Sequence, residues 1–509
     1  MIKRSWRLVI AVVIALGIAC VAEAAVDYTW NASGDGVFHD SANWSPVGVP
    51  GAGDNVTFDA TSTFNCSVTG ECTVANFTMA DGYTGIVTLS STPDEDLTVT
   101  DTITINDGKL TGNNRTINFV NAYIASEDGR LNRNEYWYQT ASGTMRSTHY
   151  NNTLTSYELA DGITATITGV TYLKRLVLGT NSAITGSTLI FRMPATTVIL
   201  VQPHDGNGDP LATISSSIDI TYLRGARSMG PFTITGNVSQ SDDQTQTLTM
   251  TGDWDISGTL MIRGGGASAT GTLDADGHNL TVGSYLRLGN STTTDNGGKG
   301  RIYFGSGTHT ITGNMSVYPD TQTYGYFVFG EGTVKVGGNV DFRRADVTAG
   351  TGTVELIGAG AQTLYGVTCN GSVSPLCDED HLDTIPFYNL TINNTGEDDI
   401  ILANALVVSN DLTITDGDLN VSGQNITANQ LVVTNGANSV LTFSNGMLSV
   451  KSGIISNGLT TVIGDGANSA TLDLWGRQPF NVTSNLVFTN GATLMVEVGG
   501  ATTNDCNFL

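Results

Sequence analysis

Short runs in which Val, Ile and Leu alternate with Thr and other polar residues, corners of Gly, Asn and Asp between them, and no apolar face at helical spacing predict an all-β chain. The alternation is plain in LTVTDTITI (97–105), NLTVGSYLRL (279–288), GTVKVGGNVDF (332–342), DLTITDGDLNV (411–421) and NLVFTNGATLMVEV (485–498). Pro, at 11 residues in all, rarely interrupts a strand. The runs recur as degenerate frames, and no sandwich-type Cys…Trp…Cys spacing accompanies them, so the predicted architecture is a parallel β-solenoid. Tandem β-sandwiches are the alternative, because hairpin signals such as Asp416-Gly417 also occur.

At the N-terminus, the basic MIKRSWR precedes the apolar run LVIAVVIALGIACVA, and Ala22-Glu23-Ala24 supplies small residues before Ala25. Residues 1–24 read as a secretory signal peptide, too short for a membrane span of about 20 residues; a retained membrane anchor is the competing reading. A lipid-modified Cys20 fits poorly, because Gly17-Ile18-Ala19 lacks the large apolar residue usual upstream. No later apolar run is long enough to span a bilayer, so a secreted or bacterial cell-surface location is expected. Asp and Glu number 47 against 22 Lys and Arg, a formal charge of −25. That balance argues against a nucleic-acid partner, since phosphate counterions need a cationic surface to replace them. With 40% hydrophobic and only 14% charged residues, the chain is also no disordered acidic tail.

Residues 25–95 are expected to form an N-terminal cap and the first coils. There Trp30 and Trp44 cover the open end and block edge-to-edge pairing. A carbohydrate platform built on the same tryptophans is the rival. Residues 96–235 read as solenoid with irregular loops and 236–509 as solenoid repeats, with a text that stops at Leu509 as if truncated. One frame aligns Gly108-Lys109-Leu110, Asn114 and Ile117 with Gly271-Thr272-Leu273, Gly277 and Leu280, and with Gly417-Asp418-Leu419, Gly423 and Ile426. Asn114, Gly277 and Gly423 share one slot, and both residue types tolerate a left-handed backbone, so a sharp corner is predicted there. A second frame aligns Gly300 to Phe304 and His309-Thr310-Ile311 with Gly352 to Leu356 and Gln362-Thr363-Leu364. At about 20 residues and about 4.8 Å per coil, the mature chain makes a rod on the order of 100 Å long.

Export favours oxidation, so Cys66 with Cys72 and Cys369 with Cys377 are expected as short-loop disulfides. A zinc site competes, but no His lies near the first pair, and His381 alone does not complete the second. Cys506 is left over.

Trp30-Asn31, Asn43-Trp44, Val49-Pro50 and the run Gly53 to Phe58 resemble the N-terminal segment of large secreted bacterial surface proteins, autotransporter passengers and filamentous-haemagglutinin-like adhesins. The run Phe387 to Ile392 with DLTITDGDLNV is similar to their internal strand repeats, and Gly491 to Gly500 is similar to the autotransporter-associated strand repeat. The resemblance covers roughly half of the mature chain and leaves residues 120–235 unmatched. It implies a right-handed parallel β-helix and surface display or adhesion, and it brings no catalytic residues.

Asp205, Asn207 and Asp209 present oxygens at alternate positions, as calcium loops do, although Pro210 and Ser216 depart from the EF-hand pattern. A polar surface turn is the plainer reading. Arg133, Tyr136, Trp137 and Tyr138 form the densest aromatic and basic cluster, with Arg130 and Arg146 nearby. They could stack on sugar rings and pair with uronate carboxylates, or fold back over the coil with their rings buried, which is the more ordinary outcome. An enzyme on the same coil, a polysaccharide lyase or glycosidase, would need converging acid–base groups. Asp253 and Asp255, flanking Trp254, share one side of a strand but lack a wall around them. The six histidines show no metal-type pairing, and no nucleophile elbow or phosphate loop occurs. The expected function is therefore structural or adhesive, at the cell surface or outside the cell. Self-assembly or surface glycans are the expected partners, calcium the one cofactor considered, and the polysaccharide-active enzyme the alternative.

Overall fold

A computed structural model of the chain describes residues 24–90, 96–125, 131, 136–147, 152–192, 200–205, 209–221, 227–242, 245–264, 269–289, 298–318, 325–366, 384–396, 399–421, 423–434, 441–443, 446–455, 460–463, 470–475, 480–482, 485–488 and 492–496. Its strands wind into a parallel β-solenoid of about 20 rungs among the described residues. Helical content among the described residues is the 3-10 turn Ser41–Asn43. The alternation of the sequence becomes the inside and outside of the coil. Residues facing in stack in register on the same position of the next turn. One column runs Cys72, Leu97, Ile117, Trp137, Tyr157, Leu176, Leu200. A second runs Leu189, Ile218, Val238, Leu260, Leu286, Met315, Val340, Leu364, Leu402. Every member of both is buried, and each fully buried aliphatic side chain contributes about 1.5–3 kcal/mol. The first column passes unbroken through residues 120–200, which the resemblance had left unmatched.

Corners are built by two devices. Left-handed residues turn the chain: Asn114 (φ 63°), Gly277 (φ 80°) and Gly423 (φ 81°) all occupy that region, as their shared slot predicts. Asn and Asp side chains then tie one coil to the next. Asp253 accepts from the Asn279 backbone N–H and Nδ2, both at 2.8 Å, and Asn279 Oδ1 accepts from the Thr308 N–H at 2.8 Å. The same device links Asn314 to Asn339 and Asn339 to Thr363. Much of the Asn and Asp content thus caps strand N–H groups that a corner would otherwise leave without acceptors.

The N-terminal end closes on an aromatic cluster. Asp27–Trp30 pairs in parallel with Asn55–Phe58 on one edge, and its other edge is taken by the two-residue antiparallel strand Trp44–Ser45. An antiparallel strand ends the parallel ladder, so the edge is covered there. Trp30 and Trp44 are buried, their rings 5.1 Å apart edge to face, with Phe58 and Phe38 packed against Trp44. Their indole N–H groups donate to the carbonyls of Phe64 (3.1 Å) and Phe38 (2.7 Å). A sugar platform would need these rings exposed, and burial removes that rival.

One expectation holds and one is corrected. Among the described residues the parallel pairings step from Tyr28 to Val482 through about 20 rungs, which at about 4.8 Å each give a rod on the order of 100 Å, as the residue count implied. Successive rungs such as Phe232, Trp254, Leu280 and His309 lie more than about 20 residues apart, because the connections between faces consume chain. Cys66 and Cys72 are buried free thiols, not a disulfide, and they sit on different faces of the coil. Burial pushes both thiols up, Cys72 to about 12, with the neighbouring Cys72 adding to the effect at Cys66. Cys369, Cys377, Cys506 and residues 1–23 lie outside the described residues.

Candidate functional site

The aromatic cluster at 136–138 divides by the alternation of its strand. Trp137 points inward, fully buried in the first column, with its ring 5.5 Å from Phe119. Tyr136, at 39% exposed, and the half-buried Tyr138 face outward, while Arg133 lies outside the described residues. The ordinary outcome therefore holds for the indole, and two tyrosines are what remains on the surface. Asp205 and Asp209 bond to each other: Asp205 N–H donates to the Asp209 carbonyl and Asp209 N–H to Asp205 Oδ1, each at 2.9 Å. Asn207 lies outside the described residues. Among the described residues no group of three or more His, Cys, Asp or Glu is placed to hold a metal ion. Asp253 and Asp255 flank the inward Trp254, both exposed. Asp253 is the corner clamp described above, with His278 Nδ1 at 3.8 Å.

A shallow groove of about 440 Å³ opens at another corner, walled by Asp274, Asp276, Tyr303, Ser306 and Val328. Its floor is glycine: a Cβ on Gly330 would meet the Gly305 carbonyl oxygen at 2.1 Å, and Gly305 itself is left-handed (φ 67°). Asp274 Oδ1 accepts from the Asp276 N–H at 3.1 Å, a turn cap.

The most concentrated surface chemistry lies elsewhere and was not singled out in the sequence. One outward column runs Asp219, Ser239, Met261, Arg287, Ser316, Asp341, Tyr365 along one side of the rod. Arg287 lies between two rings, 5.8 Å from the Tyr285 centroid and 5.2 Å from that of Tyr318 on the next coil. Arg343 lies 4.2 Å from the Tyr365 ring and forks onto Asp341 through Nε (2.9 Å) and Nη2 (2.6 Å), which raises its pKa. On the neighbouring side Arg301 repeats the motif, 4.3 Å from the Tyr326 ring and 5.9 Å from that of Tyr303. Each cation thus reaches a ring one coil away. The sequence signal is Tyr or Arg at alternate outward positions, Tyr285-Leu286-Arg287 and Arg301-Ile302-Tyr303. The pairing itself depends on which coil stacks on which. At the upstream end of the column, burial pushes the Asp219 carboxyl up, opposed by the Arg263 charge and the Ser239 hydroxyl.

Among the described residues no helix is long and apolar enough to cross a membrane. No family model, no curated protein and no solved structure matches the chain.

Proposed function

We propose that this chain is an exported bacterial surface or extracellular protein whose solenoid serves as a structural or adhesive rod. What carries the reading is the continuity of the coil: inward columns that run turn on turn and an outer surface of sheet faces and tied corners. Such a rod supplies length and a repeating surface, while contact specificity comes from outward side chains. The N-terminal signal pattern and the surface-protein resemblance of 30–58 and 387–392 support the location.

The test is fractionation of the native host with an antibody to the chain. The proposal expects an N-terminus at Ala25 and accessibility to protease added to intact cells. A chain that keeps residues 1–24 and is found only in the cytosolic fraction would overturn it.

A further inference from the structure

We propose that the strip formed by Tyr285, Arg287, Tyr318, Arg343 and Tyr365 binds an acidic polysaccharide laid along the rod axis. This deepens the adhesive reading above and rests on it.

Arg287 carries the inference. Acids outnumber bases in this chain by 47 to 22, yet among the described residues Arg287 meets no carboxylate and no hydrogen-bond acceptor. Its Nε is buried without a partner, so the two tyrosine rings hold the side chain in place. Lys335, Arg175 and Arg343, by contrast, are each spent on a carboxylate at 3.2, 3.2 and 2.6 Å. A guanidinium held by ring faces keeps its outer edge for an incoming carboxylate, and a planar fork suits that group. Tyr285 is 41% exposed beside it, an open ring for the C–H face of a sugar.

Spacing selects a polymer. The strip places a tyrosine or arginine on each of several successive coils, separated by about 4.8 Å, close to the length of one hexose unit. Charge selects an anionic glycan of modest charge density. One unpaired arginine, with Arg343 already shared with Asp341, suits an occasional uronate and falls short of the several phosphates a nucleic acid must have neutralised.

The test uses the full chain, with polygalacturonate as probe, dextran as the neutral control and single-stranded DNA as the competing polyanion, in affinity electrophoresis at low salt. The proposal expects retardation by polygalacturonate and none by dextran. Arg287→Gln and Tyr285→Ala should each weaken binding about tenfold, with an unchanged melting temperature, and Arg287→Lys should retain part of it. Tyr136→Ala, at an exposed tyrosine elsewhere on the rod, should bind like the wild type. Four results would overturn the site: no retardation of the wild type, full binding by Arg287→Gln, DNA bound more tightly than the glycan, or a dimer that Arg287→Gln dissolves. In each case the surface-rod reading would stand or fall separately, on the fractionation result.

Discussion

Lowering the pH from about 7.5 to about 4 should cost the rod about 3 kcal/mol through His309 alone. The imidazole occupies an inward rung, stacked between Leu280 and Val334 in the column that also holds Trp254 and Val354. It is fully buried, its ring is 5.1 Å from Phe304, and neither ring nitrogen has a hydrogen-bond partner. Burial depresses its pKa from the ordinary 6.5 to about 4, against the opposing pull of the Phe304 backbone and the Asp253 charge. In the unfolded chain the ring takes up a proton below about 6.5, while the folded chain resists until about 4. The stability linked to His309 is therefore complete above 6.5, falls progressively toward pH 4, and levels off about one unit below it. The roughly 2.5 units at about 1.4 kcal/mol each give about 3.5 kcal/mol in full, of which about 3 is lost by pH 4, where the folded ring is half protonated. His309→Leu fits the column, removes this increment, and should stabilise the neutral protein by about 1–2 kcal/mol by deleting two orphaned nitrogens. Guanidinium denaturation of both proteins at the two pH values isolates the increment, because titration of the carboxylates is common to both. Identical pH dependences for wild type and variant, or a ring that titrates near 6.5 by NMR, would refute the reasoning.

Three further outcomes follow from the same coil. Trp137→Ala should cost about 3–5 kcal/mol and Tyr136→Ala less than about 0.5; equal effects in thermal melts would contradict the division of that strand into inside and outside. Asn279→Ala should lose about 1 kcal/mol or somewhat more by releasing Asp253 and the Thr308 N–H. Combined with Asp253→Ala, its effect should be less than additive, and full additivity by denaturation would show the corner clamp to be inert. In the reduced chain, Cys66 and Cys72 should resist iodoacetamide at about pH 8 and react once unfolded, because burial suppresses both thiolates. Rapid native alkylation read by mass spectrometry would contradict that burial.

What the sequence made legible was local. The slot shared by Asn114, Gly277 and Gly423 foretold a left-handed corner because only a few residue types tolerate it, and the inward Leu and Ile on either side follow from period two. The side of the rod was not legible: Leu110, Leu273 and Leu419 hold the same place in the frame yet lie in three different sheets. A corner motif fixes a turn, and the sheet it feeds depends on connections upstream. Trp137 stood out as a ligand candidate because aromatic density is read along the chain, whereas the burial already given as the more ordinary outcome is decided by stacking on Ile117 and Tyr157. The Arg287 strip was invisible for the complementary reason, its tyrosines Tyr285 and Tyr318 belonging to successive coils. His309 aligned with Gln362 in the second frame, and both are buried. Gln362 Nε2 donates to the carbonyls of Val336 (3.0 Å) and Gly338 (2.7 Å), while the imidazole finds no acceptor.

Small-angle X-ray scattering of the mature chain puts the central wager to its most direct trial. Stacked coils predict the profile of a single stiff rod, with a solenoid on the order of 100 Å long from about 20 stacked rungs. A profile requiring several compact bodies on flexible joints would contradict the continuous columns from which the rest is derived.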